Sequence, residues 1–335
     1  MEAHPPPVQM VQLLSGFQVS QALYVAAKIG VADRLVDGPV PVEQLASDLD
    51  AEPLALGRLL RTLASLGVFS EAEPGAYGLT PLGATLVSDR EGSMRDLALM
   101  WMETHYAPFG GLLETVRTGD CAATQHYGQP FFSWLADQPE QVDRFSRAMA
   151  NLTDGIKAGA IASYAFPQSG TIVDVGGADG ALLARVLGSA PATTGIVFDL
   201  PHVVAEAAPT LKSYGLDDRM TSEGGDFFEA VPAGGDAYLL SMVLHDWNDL
   251  DATRILNNIR DAAAPGARVL AFELVMPPGD QPHMSKMIDL TMLGMLNGRE
   301  RTEAEMRSLF EDAGLIYDGT VPTPTPISII EARVP

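Results

Sequence analysis

From Val8 to about Ser163 the apolar residues recur three and four positions apart with few β-branched runs, a spacing that predicts helices. One stretch departs from this. Val40-Pro41-Val42-Glu43-Gln44-Leu45-Ala46 and Pro53 to Leu63 read as two short helices, followed by Val68-Phe69-Ser70 and Tyr77-Gly78-Leu79-Thr80 around a turn at Glu73-Pro74-Gly75. Two helices and a small hairpin in that order predict a winged-helix-like module. After Gly170 the period changes: short β-branched runs alternate with amphipathic helical segments. The predicted strands are Thr171–Val175, Gly195–Asp199, Met220–Ser222, Asp236–Ser241, Arg268–Leu274, Leu315–Gly319 and Ile327–Glu331. The intervening helices include Leu250–Ala264, Met284–Asn297 and Thr302–Ala313, the last opened by Thr302 and Glu305 at capping-box spacing and closed by Gly314. This alternation predicts an open, mostly parallel α/β sheet. Pro167, Ser169 and Gly170 interrupt the pattern, so the boundary is expected between a helical domain of residues 1–163 and a sheet domain of residues 164–335.

Composition narrows the function classes. The chain of 335 residues is long enough for two domains, and 47% hydrophobic residues can fill both cores. No run approaches the ~18 apolar residues of a membrane span, and residues 1–12 lack a basic start followed by an apolar block, so a cytoplasmic protein is expected. A single cysteine, Cys121, excludes an intrachain disulfide and a thiolate metal cluster. The net charge of −22 leaves no basic footprint for nucleic acid or an anionic membrane. The winged-helix-like piece could serve a DNA-binding regulator, but its second helix offers only Arg58 and Arg61, which favours an interaction platform. The expected partner is a small molecule.

The candidate chemistry starts at Thr171-Ile172-Val173-Asp174-Val175-Gly176-Gly177-Ala178-Asp179-Gly180, a buried-type strand breaking into a glycine-rich turn before a helix. The spacing misses Gly-x-Gly-x-x-Gly, and no Gly-Lys-Ser/Thr follows. An adenosine ligand without phosphates suits such a loop. The next strand ends in Asp199, whose carboxylate can accept from both ribose hydroxyls, and Gly225-Asp226-Phe227 offers a second acid beside a ring for an adenine.

These segments, with Phe198-Asp199-Leu200-Pro201, Gly224-Gly225-Asp226-Phe227-Phe228, Leu244-His245-Asp246-Trp247-Asn248-Asp249 and Gly298-Arg299-Glu300-Arg301-Thr302, resemble the class I S-adenosylmethionine-dependent methyltransferases. The resemblance covers nearly the whole chain. It is to the small-molecule O-methyltransferases of the caffeate and hydroxyindole type and their bacterial natural-product relatives. It implies a Rossmann-like sheet of seven mostly parallel strands, an N-terminal domain that dimerises and caps the substrate, and S-adenosylmethionine as cofactor, leaving as S-adenosylhomocysteine. The cofactor residues it implies are Asp174, Gly176, Gly177, Asp199, Leu200, Gly225, Asp226, Phe227 and Ser241. Ala178 stands where the family usually has glycine, and Ser241 where its plant members have lysine.

His245 lies just past a strand, at the carboxyl edge where such sheets hold their ligands. A phenol of pKa ~10 must shed its proton to be methylated, and a histidine of pKa ~6.5 can take it. A carboxylate fixes the tautomer of such a base, and the resemblance puts two at Glu273 and Glu300. Glu303, by contrast, reads as a first-turn helix acid. Asp246 can brace the loop, touch the cofactor or face the substrate. No metal is expected, because adjacent His245 and Asp246 do not form a ligand pair on one helix face. For a flat aromatic substrate the candidate lining is Met100, Trp101, His105, Phe145, Met149, Met292 and Met295, with core packing the plainer role for many of them. His4 and His283, in polar Pro-flanked segments, look idle. Methylation of nitrogen, or non-methylating chemistry on the same fold, is the alternative.

Overall fold

The computed structural model describes residues 5–152, 156–205 and 212–335; His4 lies outside them. The chain divides into two compact units, one of residues up to 107 with 138–152, the other of 108–137 with the chain beyond 152. No helix among the described residues is long and apolar enough to cross a membrane.

In the first unit, helices Val42–Asp48 and Pro53–Ser65 lie in the chain between β1 (Val40–Pro41) and the hairpin of β2 (Phe69–Glu73) and β3 (Ala76–Leu79), and the three strands form one sheet in the order β1-β3-β2. The second helix starts cleanly because the Glu52 carboxylate accepts from the amides of Leu54 and Ala55, with Pro53 at the first helical position. Leu45, Leu60, Leu63, Phe69 and Tyr77 close its core with Ala26 and Ala27 of helix Gly16–Ile29. Helix Pro6–Leu14, in contrast, buries no residue, although Val8, Met10, Val11, Leu13 and Leu14 are apolar.

The second unit holds a seven-stranded sheet of β4 (Ser169–Val175), β5 (Ala192–Asp199), β6 (Met220–Gly224), β7 (Ala237–Ser241), β8 (Arg268–Glu273), β9 (Ile316–Pro322) and β10 (Ser328–Arg333). The order is β6-β5-β4-β7-β8-β10-β9, with β10 antiparallel to both neighbours and the remaining pairs parallel. The central strands bury both faces, as continuous β-branched and leucine runs require. Val173, Leu240, Val269 and Ile330 face Ile255, Leu256 and Phe310 in one cluster, while Ile172, Leu239, Leu270 and Ile329 face Leu183 and Leu187 in the other. The expected strands are all present, shifted at their ends. The helix Glu303–Asp312 carries the expected capping box between Thr302 and Glu305.

Segment 108–137 packs with the sheet unit rather than with the helices before it. The Phe109 ring lies against Gly294, and the Cys121 thiol donates to the Gly294 carbonyl at 3.4 Å. Gly294 belongs to helix Met284–Met295, and its lack of a side chain lets this segment approach.

Candidate active site

The strand order reverses between β4 and β7, and the carboxyl ends of these two strands with β8 frame the site. β4 ends in Val175, and Gly176 then takes a φ of +74°, a conformation that glycine adopts without cost. The amides of Gly176 and Gly177 donate to the Phe198 carbonyl at 2.8 and 3.2 Å, tying the turn to β5. A Cβ on Gly177 would stand 2.9 Å from the Asp174 carboxyl, so the loop closes over that side chain. Ala178 also has positive φ, +47°, which an L side chain resists. Asp199, at the end of β5, accepts from the amides of Ala178 at 3.0 Å and Leu200 at 2.7 Å. Burial raises its pKa, and those two bonds oppose the shift. Asp226 Oδ1 accepts from the amide of Phe228 at 2.8 Å, which turns the chain after Gly225.

β7 leads to the chemistry. Ser241 ends it, Met242 adopts φ +57°, and Leu244–Asp246 make one turn of 3₁₀ helix carrying His245. His245 is 6% exposed. Its Nδ1 lies 2.7 Å from Glu300 Oε1 and its Nε2 3.4 Å from Asp246 Oδ1. Glu273, fully buried at the end of β8, accepts from the Leu244 amide at 3.0 Å through Oε1. The Glu300 amide is held in turn by Asp289 Oδ1 at 2.9 Å. A carboxylate that only accepts fixes the tautomer: Nδ1–H donates to Glu300, and Nε2 is left for a reactant.

The electrostatics follow from this crowding of acids. Burial alone pushes the imidazole pKa down, but the charge of Asp246, the hydrogen bond donated to Glu300 and the charge of Glu273 outweigh it, raising His245 to about 9. Burial raises Asp174 and Glu273 to about 7, opposed by Lys157 at the first and by His245 at the second. Asp246 is raised by burial to about 6. Among the described residues, both oxygens of Asp174, Ser241 Oγ and the Oε2 atoms of Glu273 and Glu300 are buried without a hydrogen-bond partner. Orphaned acceptors of this density call for a cationic or hydrogen-donating ligand.

Ligand atoms of His245, Glu273 and Glu300 lie within 4.8 Å of one another, which is compact enough for a metal ion. The 2.7 Å between Nδ1 and Oε1 is, however, the spacing of a shared proton; two ligands about 2.1 Å from one ion stand farther apart.

Beside the histidine, the Trp247 ring touches those of Phe227 and Phe228 edge-on, at 5.9 and 4.7 Å between centroids, and that of Phe132 at 6.5 Å. An aromatic run thus leads from the Gly225-Asp226-Phe227 loop through Trp247 to segment 108–137. Of the substrate candidates, Asp246 stands at His245, and Met292 and Met295 are buried on helix Met284–Met295. Met100, Trp101, His105, Phe145 and Met149 belong to the first unit. There Met100 is core, Trp101 is exposed, and His105, buried and lowered to about 4 by that burial, donates from Nδ1 to Thr104 Oγ1 at 2.7 Å. The Thr104 hydroxyl donates its own hydrogen bond to the Met100 carbonyl at 2.7 Å. His283 caps the helix Met284–Met295 by accepting from the Ser285 amide.

This arrangement, an oriented histidine at the carboxyl edge beside a glycine loop with acids at successive strand ends, has counterparts. Residues 109–316 match the family model of the O-methyltransferase domain, and residues 11–89 that of the O-methyltransferase dimerisation domain. The chain belongs to the O-methyltransferase family. It is 42% identical over 324 residues to a phenazine O-methyltransferase, PhzM, of Lysobacter antibioticus, covering 97% of this chain and 95% of that protein. The crystal structure of LaPhzM superposes with a TM-score of 0.94 at 41% identity, over 99% of this chain and all of the other. An O-methyltransferase of neocarzinostatin biosynthesis, NcsB1, solved with S-adenosylmethionine and 2-hydroxy-5-methyl naphthoic acid, superposes with a TM-score of 0.81 at 34% identity, over 95% and 96% of the two chains. The protein is accordingly a methyltransferase enzyme, with the mostly parallel seven-stranded sheet and N-terminal helical domain of its family.

The resemblance pointed to Glu273 and Glu300; the geometry adds Arg301 and Trp247, to which the sequence reading gave no role. The signal for Arg301 lay inside Gly298-Arg299-Glu300-Arg301-Thr302, but sequence alone does not distinguish it from Arg299.

Proposed function

We propose that the protein transfers the methyl group of S-adenosylmethionine to a hydroxyl of an aromatic or polycyclic small molecule, with His245 as the general base and no metal. The observation that carries this reading is the 2.7 Å contact of His245 Nδ1 with buried Glu300, which leaves Nε2 to accept the hydroxyl proton. Glu273 fixes the turn through the Leu244 amide.

The residues present suit the cofactor. Gly176 and Gly177 let the turn pack closely against Val243 and Asp174, where a Cβ would stand 2.9 Å from each, and the orphaned acids suit a ligand with net positive charge. Asp199 with Leu200 would hold the ribose, Gly225, Asp226 and Phe227 the adenine, and Asp174 and Ser241 the remainder. When bound, S-adenosylmethionine supplies an electrophilic methyl group on a cationic sulfur. His245 itself is loaded with a proton at neutral pH by the surrounding carboxylates. A bound ligand of positive charge among the same acids would disfavour that proton and favour the neutral, basic imidazole. The paired rings of Trp247 and Phe132 and the buried Met292 and Met295 would keep the site apolar, which suits a methyl transfer between an anionic oxygen and a cationic sulfur, a reaction that consumes charge.

We further infer a homodimer, supported by the dimerisation-domain match and by the exposed apolar residues of helix Pro6–Leu14. The test of function is incubation with methyl-labelled S-adenosylmethionine and matched hydroxy and amino forms of phenazines, benzoates and naphthoates. Labelled O-methyl products are expected; labelled N-methyl products alone would establish the nitrogen alternative instead.

A further inference from the structure

Arg301 takes no part in the chemistry above, yet its side chain is fully buried, the largest among the described residues to be so. It points at the turn that carries His245. Nη1 donates to the Leu244 carbonyl at 2.7 Å, Nη2 to the Trp247 carbonyl at 2.8 Å and Nε to Asp249 Oδ1 at 2.9 Å. The two carbonyls bracket His245 on either side. A planar fork with donors in fixed directions can hold both at once, which a lysine ammonium cannot. On the same strand of chain, Gly298 approaches so closely that a Cβ there would lie 1.9 Å from the His245 carbonyl oxygen. Glu300, between these two residues, accepts the hydrogen bond from the imidazole Nδ1–H.

We propose that Arg301 is a positioning residue: its guanidinium clamps the Leu244–Trp247 turn and thereby sets the direction in which the His245 imidazole presents Nε2 to the acceptor. The inference rests on His245 being the base. The turn needs such a clamp because it is a single 3₁₀ turn leaving a residue, Met242, in a positive-φ conformation that a side chain disfavours. Its other anchors are the Leu244 amide on Glu273, the imidazole on Glu300, and its own amides of Asp246 and Trp247 on the Val243 and Leu244 carbonyls; Arg301 ties the Leu244 and Trp247 carbonyls to a distant segment of the chain. Asp249 completes the device by pairing with both Arg301 and Arg299 at the start of helix Asp249–Ala262.

The test is Arg301→Lys in the full chain, read by folding, by affinity for S-adenosylhomocysteine, by kcat with an accepted phenol, and by the titration of the His245 ring in protein labelled with ¹⁵N-histidine. Since a misplacement of ~1 Å costs about 10²-fold in rate, kcat is expected to fall by about 10- to 100-fold. Affinity for S-adenosylhomocysteine should stay within about threefold, and the His245 titration midpoint should move. A folded variant with wild-type kcat and wild-type His245 titration overturns the proposal, and so does a loss of kcat with the titration unchanged. Should Arg301→Lys not fold, Asp249→Asn decides, because Asp249 is largely exposed and its loss loosens the fork without emptying the core. A shifted His245 midpoint with lowered kcat is expected there, and wild-type values for both overturn the clamp. The ring titration needs no turnover. Were His245→Gln to remain active, the base reading would fall while the effect of Arg301 on the ring could still be read.

Discussion

Replacing Glu300 by glutamine removes one charge and reverses one donor at the point where the account is most exposed. In the native protein Oε1 lies 2.7 Å from Nδ1, and the Glu300 side chain has no solvent exposure. A unit charge pair at that distance is worth roughly 6 kcal/mol at an effective dielectric of about 20, an upper limit before the cost of burying both groups. A glutamine amide can donate to Nδ1, which would put the ring proton on Nε2 and point a donor, not an acceptor, at the substrate hydroxyl. In serine proteases the equivalent change, Asp to Asn beside the catalytic histidine, drops kcat by about 10⁴. For Glu300→Gln we expect kcat to fall by about 10²–10⁴, a barrier increase of about 3–5 kcal/mol. Affinity for S-adenosylhomocysteine should change little, since Glu300 is placed at the base. The assay is initial rate against acceptor concentration by product mass, with calorimetric titration of S-adenosylhomocysteine alongside. A folded variant with kcat within about fivefold of wild type would refute the role of Glu300 in fixing the tautomer.

The pH dependence of stability follows from the same cluster. His245, at about 9 in the fold against ~6.5 unfolded, stabilises fully below pH ~6.5 and loses that contribution as pH rises through about 9. Asp174 and Glu273, raised to about 7, also bind protons in the folded state, so their contribution fades between pH ~4 and about 7. The ligand-free melting temperature should therefore fall from pH 5 to 9, and His245→Gln should flatten the upper part; a rise would contradict the assignment. Ala178→Gly removes about 1–2 kcal/mol of positive-φ strain and adds about 0.4–1 kcal/mol of unfolded-state entropy, so a small net stabilisation is expected in denaturant midpoint, and a destabilisation would show that the loop carries no strain. Dialysis against EDTA should leave turnover within about twofold, whereas a loss restored by a divalent ion would assign His245, Glu273 and Glu300 to a metal instead.

The sheet was readable because its central strands are buried on both faces, which forces uninterrupted apolar runs such as Ala237–Ser241. The ends were less so: β5 begins at Ala192, before the expected Gly195, since Ala192-Thr193-Thr194 has no strong apolar signal but pairs with β4 in register. The glycine loop and the acid at the end of β5 were legible because turn geometry demands particular residue types. The pairing of His245 with Glu300 was not, being a contact across 55 positions that no spacing rule reaches, and only resemblance to a known family pointed to it. Segment 108–137 has the same helical spacing as the residues around it. Its place with the sheet unit depends on Phe109 and Cys121 meeting Gly294, which is a tertiary event. Arg299 and Arg301 lie two positions apart in one motif, yet the first is 43% exposed in its side chain and the second not at all. Burial of a charge is decided by the acceptors that surround it, and these come from distant segments.

The central claim is that His245 takes a proton from a hydroxyl that is then methylated. Its most direct test is His245→Gln, assayed with labelled S-adenosylmethionine and a hydroxylated phenazine or naphthoate that the wild type converts to an O-methyl product. The account predicts a folded variant that binds S-adenosylhomocysteine as the wild type does and forms that product at least about 10²-fold more slowly near pH 7, with the rate recovering at alkaline pH as the phenol ionises without help. Wild-type turnover by His245→Gln at neutral pH would contradict it.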